Sequence, residues 1–172
     1  AKAGLSIIAR SLKIAYDEPD NLQAREDMAI GSLFGGLALA NSKLGAVHGF
    51  AGPLGGMYPI PHGVACAALL PSVVRVNINA LQKEEDRHHP ILKRYKIIAQ
   101  ILTNNPQSTC DDGVLWIQEL CNHMNIPKLS AFGIQKEDAK EIIEKTKQSS
   151  SIKGTPIVLS DDQLLEILVS AL

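Results

Sequence analysis

Aromatic residues are scarce, 4% of a chain in which 45% of the residues are hydrophobic. The core must therefore be built from Ala, Leu, Ile and Val, a set that suits close-packed helices. Charge of either sign is not in excess: 17 Lys and Arg face 18 Asp and Glu, a net of −1. No basic field exists to draw phosphate backbones, which argues against nucleic acid as a partner. Cysteine is limited to Cys66, Cys110 and Cys121, with no C-x-x-C pair, so neither a zinc ribbon nor a dithiol redox motif is supported. An odd number of scattered thiols suits a reducing, cytoplasmic setting, with the cysteines as small packing residues. Nothing in these residues resembles a signal peptide or a spanning run of ~20 apolar residues, so no membrane partner is expected. No strand pattern leads into Gly-x-Gly-x-x-Gly, the mark of a dinucleotide site. The 172 residues fit one domain, or at most two very small ones. The first residue is Ala rather than Met, as in a processed chain, a cloned fragment or a cleavage product.

What is present is helical periodicity. Leu5, Ile8, Leu12 and Ala15 share one face of a predicted helix over 2–16, which stops near Asp17-Glu18-Pro19. A longer helix is predicted from Leu22 to Leu44, apolar nearly all round between Met28 and Ala40. Such a helix is expected to be central and buried, with Gly31, Gly35, Gly36, Ala38 and Ala40 admitting neighbouring backbones. Asn41 to Gly45 reads as a break. Further helices are expected over 63–77, bent at Pro71, and over Ile91–Leu102, with a solvated charged loop from Lys83 to Pro90 between them. Asp111 or Asp112 is expected to cap a helix reaching about Met124. Gln135–Lys147 forms a shorter one, and Ser160-Asp-Asp-Gln163 is a capping box opening a last helix. Only Ile157-Val158-Leu159 resembles a strand. The expectation is an all-α bundle of about seven helices.

His48 and His62 stand fourteen positions apart and bracket a stretch dense in Gly and Pro. Neutral imidazole is the commonest metal ligand, and a Gly/Pro-rich connection can fold two segments back onto one point. Two readings stay open on chemistry alone. Both histidines are ligands, or His48 packs within a helix and His62 opens the next one. Two imidazoles leave a divalent cation short of the usual three protein ligands. His88 and His89 read as solvated, and His123 as a helix-end residue favoured by the dipole. Cys66, one turn beyond His62, is placed to face the same cleft, though packing as a small apolar residue is the first reading; Phe50, Met57 and Tyr58 read as pocket-lining or, singly, as core.

Gly36-Leu-Ala-Leu-Ala-Asn-Ser-Lys-Leu-Gly-Ala-Val-His48-Gly, then Pro53-Leu-Gly-Gly, then Pro61-His62-Gly-Val-Ala-Cys-Ala, closely resembles the iron-containing (group III) alcohol dehydrogenases. The resemblance runs along essentially the whole chain. It implies the dehydroquinate-synthase-like helical C-terminal domain of that family, here a single metal-binding domain over residues 1–172. It also implies a divalent metal, iron or alternatively zinc, held by one Asp and three His, with His48 and His62 as the last two ligands. The family's first two ligands form an Asp-x-x-x-His pair, which this sequence lacks; by motif order Ala1 falls after it. NAD or NADP would bind an N-terminal domain that is also missing. Many relatives carry a histidine near the nicotinamide where Gly52 stands.

The implied function is interconversion of an alcohol and its aldehyde or ketone by hydride transfer, with a small-molecule substrate. Oligomeric state is left open by the sequence, with a homodimer favoured on base rates. This segment alone is expected to be inactive. The rival reading is a shortened, non-catalytic helical interaction domain.

Overall fold

The structure is a computed structural model that describes residues 1–83 and 90–172. Among the described residues there are eight α-helices and no strand. The helices are α1 (Lys2–Asp17), α2 (Leu22–Ala40), α3 (Ala46–Met57), α4 (His62–Lys83), α5 (Pro90–Thr103), α6 (Cys110–His123), α7 (Ala139–Gln148) and α8 (Asp161–Ala171), with short 3-10 turns between α6 and α8. The all-α expectation holds. The charged loop expected from Lys83 to Pro90, with His88 and His89, falls outside the described residues apart from its two ends.

The helices sort into two compact units. The first holds α1, α2, α5 and α6. Here α1 packs on α2 and α5, and α5 packs on α6. Close approach is bought by small residues: a Cβ on Gly31 would lie 2.6 Å from Ile8 Cγ1, and one on Gly113 2.7 Å from Ala99 Cβ. A polar clamp fixes the α1–α2 pairing. Arg10 donates from Nε and Nη2 to the Asp27 carboxylate at 3.0 and 2.9 Å, and the Ser11 hydroxyl donates to the same group. Asp27 is only 6% exposed, so these bonds replace water that its charge has lost.

The expectation of a buried α2 is overturned. Leu22, Leu33 and Leu37 are 78%, 62% and 53% exposed, and a Cβ on Gly35 or Gly36 would meet nothing within 4 Å. In its own unit α2 rests on α1, so one face is used and the rest of an all-round apolar surface stays open. Between α1, α2 and α5 lies an apolar cavity of about 640 Å³, lined among others by Leu5, Ile8, Phe34 and Ile98.

The second unit holds α3, α4, α7 and α8 around one hydrophobic cluster, with Phe50, Leu54, Leu69, Leu129, Ile142, Ile167 and Leu168 almost fully buried. Each such side chain contributes about 1.5–3 kcal/mol by leaving water. Ser160 and Gln163 form the expected capping box at the start of α8. On α6 the capping residue is Thr109, not an aspartate; Asp112 sits at the third helical position and reaches back to Thr109 N at 2.8 Å.

The Gly/Pro stretch is not a loop. Most of it is α3, whose twelve residues AVHGFAGPLGGM include four glycines and Pro53. Propensity alone disfavours this helix, but Phe50, Ala51 and Leu54 are 0% exposed and hold it in place. Only Tyr58–Pro61 turns the chain back. The following helix runs without a break from His62 to Lys83 through Pro71, six residues beyond the expected end. By length and composition α4 is apolar enough to cross a membrane, with a mean hydropathy of 1.6 over its best window. Half of that window is buried within the structure, as in the core helix of a folded domain.

Candidate metal centre

His48 is the third residue of α3, and His62 is the first residue of α4. The Tyr58–Pro61 turn sets the two helix starts side by side. The imidazole centroids are 5.4 Å apart with ring planes inclined by 48°. Cys66 lies one turn along α4, and its Sγ is 3.5 Å from His62 Nε2. One ligand atom from each of His48, His62 and Cys66 falls within 4.8 Å of the others. His62 is exposed, while His48 and Cys66 are half-buried.

The electrostatics favour neutral imidazole at His48. Burial, helped by the neighbouring His62, holds its pKa below the ordinary 6.5, leaving a lone pair free near neutrality. Burial also pushes the Cys66 thiol up, so the free thiol keeps its proton. Two imidazoles and a thiol are borderline-soft donors, a set that fits a divalent transition metal.

The other sequence candidates settle elsewhere. Phe50 is core, and Met57 and Tyr58 pack against the same cluster. Burial raises the Tyr58 hydroxyl, with Asp138 as its polar partner. Gly52 is one turn after His48, and a Cβ there would meet nothing within 4 Å, so the face is open at that point. His123 ends α6 and meets Asp17 Oδ1 through Nε2 at 2.6 Å, as a helix-end histidine should. Of the two readings of Cys66, packing and a place facing the same cleft as His62, the contact of its Sγ with His62 Nε2 favours the second, as their i, i+4 spacing allowed.

Fold and donor set together describe a helical chain with side chains able to ligate a metal gathered at the starts of two adjacent helices. The model of the Fe-containing alcohol dehydrogenase family, C-terminal, matches residues 1–172, and the chain belongs to that family. It is 34% identical over 173 residues to 1,3-propanediol dehydrogenase of Citrobacter freundii, a match covering 97% of this chain and 42% of the relative. Alcohol dehydrogenase 4 of Saccharomyces cerevisiae is 30% identical over 172 residues, with 99% and 43% covered. Among solved structures, 1,3-propanediol oxidoreductase superposes with a TM-score of 0.86 at 31% identity, over 99% of this chain and 44% of the other. The alcohol dehydrogenase from Oenococcus oeni gives 0.84 at 30%, with the same coverage. The chain thus spans less than half the length of the relatives it matches.

Proposed function

We propose that this chain is the metal-binding helical domain of an NAD(P)-linked alcohol dehydrogenase that interconverts an alcohol and its aldehyde or ketone. The observation that carries the reading is the convergence of His48 and His62, from separate helices, at a ring-centroid distance of 5.4 Å. His48 and His62 would hold a divalent cation, which would supply Lewis acidity toward an alcohol or carbonyl oxygen. The chain's own part is to keep His48 neutral, to fix both rings at helix starts, and to back them with the packed apolar cluster around Phe50 and Leu54. The nicotinamide is expected from the part of the relatives that this chain does not match. A cytoplasmic setting and a homodimer complete the reading.

The test uses the protein as its host produces it. Alcohol-dependent reduction of NAD or NADP should be abolished by chelation, restored by added metal, and lost in His48→Ala and in His62→Ala. Turnover untouched by the chelator and by both substitutions would overturn the reading. The open apolar face of α2 favours a second reading, a non-catalytic interaction domain. An intact mass of 18.5 kDa from the host, with no turnover, would favour it; a much larger mass would favour the dehydrogenase.

A further inference from the structure

We propose that the 3-10 turn Ser150–Gly154 is a strap that positions His48, and that the fit of Ile152 over Gly49 sets how firmly that histidine holds a metal. The proposal rests on the reading of His48 as a ligand, and every contact it uses lies within the second unit.

The start of α3 cannot hold itself. Its N-cap is Gly45, which has no side chain to cap with, and no acidic residue stands in the first turn. A single backbone bond, from Gly49 N to Gly45 O at 3.0 Å, closes the turn that contains His48. An uncapped first turn with glycine at both ends frays readily. Fraying would carry the His48 ring off while His62 stays on its own helix.

The strap meets this turn at three places. An added Cβ on Gly154 would fall on the carbonyl oxygen of Leu44, and one on Gly45 would lie 3.6 Å from Thr155 Cα. One on Gly49 would lie 3.2 Å from Ile152 Cδ1 and 3.4 Å from its Cβ. Leu44, Gly45 and Gly49 bracket His48 along the chain. The strap is itself firm. Thr155 donates from Oγ1 and from N to the Ile152 carbonyl oxygen at 2.7 and 3.0 Å, and Ser149 Oγ accepts from Ser151 N at 3.3 Å. At its base, Lys147 Nζ reaches both Asp161 carboxylate oxygens at 3.0 and 3.1 Å, tying the end of α7 to the start of α8.

The bland reading makes Ile152 a cover for the hydrophobic cluster, against which it packs. That accounts for the side chain, but not for its seating on the glycine that follows His48. It also ties metal retention to overall stability alone, which is where the two readings part.

The test is iron release from the host-produced enzyme, loaded anaerobically with iron(II) and challenged with a chelator. Deuterium uptake over residues 46–50 of the metal-free protein is measured beside it. Gly49→Ala drives a methyl against Ile152 Cδ1 and should speed iron release at least about tenfold, with faster uptake at the start of α3. Ile152→Val removes that Cδ1, so the double variant should return release to within about threefold of the wild type. Gly154→Ala clashes with backbone; it should speed release as well, and Ile152→Val should not rescue it. Ile167→Val, in the core on α8, should lower the urea midpoint and leave release unchanged. The proposal is overturned by unchanged release or unchanged uptake in both glycine variants, by a double variant no slower than Gly49→Ala, or by Ile167→Val speeding release equally. His48→Ala separates the two layers. If it loses iron while both glycine variants keep theirs, the strap falls and the ligand stands. If it holds iron as the wild type does, the ligand reading falls and the strap with it.

Discussion

At the scale of single residues, two buried polar groups behave oppositely. Arg10, followed by Ser11, holds the Asp27 carboxyl down to about 2 from the ordinary 3.8. A depressed folded-state value means that the stabilisation is present above the ordinary pKa and drains away as pH falls through it toward 2. Urea unfolding followed from pH 5 downward should therefore show a loss that is much flatter in Asp27→Asn. Thr146 is the contrary case. It is fully buried and its Oγ1 has no hydrogen-bond partner among the described residues. Thr146→Val keeps the shape and removes the orphan hydroxyl, so it should stabilise by about 1 kcal/mol in the same assay. Neither role was legible beforehand, because burial of a polar group depends on which helix covers it. The histidine pair was legible, since its motif survives in sequence. The contact of Cys66 with His62 was legible too, in their i, i+4 spacing on one helix.

At the scale of elements, periodicity located most helices and capping chemistry placed the start of α8. The element that sequence reasoning lost is α3, because its glycines and Pro53 speak for a turn and only packing speaks for a helix. What aligns its start is a close backbone contact. A Cβ on Gly154 would fall on the carbonyl oxygen of Leu44, just ahead of α3. Gly154→Ala should therefore cost about 1–3 kcal/mol as the two segments are forced apart, read as a lower urea midpoint. Gly56→Ala, where an added Cβ on the same helix would meet nothing within 4 Å, should instead gain up to about 1 kcal/mol from helix propensity. The pair of variants separates crowding from propensity.

At the scale of the whole molecule, apolar surface is not confined to the core. The sequence announced α2 as apolar all round, which is correct, but an apolar helix is buried only if enough partners surround it. Leu33 and Leu37 remain open, beside a chain of net charge −1 that offers little mutual repulsion. The folded chain should bind a hydrophobic dye and associate as concentration rises. The double substitution Leu33→Glu, Leu37→Glu should abolish both while shifting unfolding by no more than about 0.5 kcal/mol, because neither side chain is buried. Resistance to opening is also uneven across the molecule. Four glycines and a proline make α3 the helix of the second unit with the least backbone preference for its own shape. Its amides should exchange with deuterium ahead of those of α4 and α8. Under the proposed function, a cation held at His48 would bind only when α3 is formed, so each tenfold excess over its dissociation constant would add about 1.4 kcal/mol to the stability of that helix. Deuterium uptake along α3 would then serve as a clock for how tightly such an ion is held.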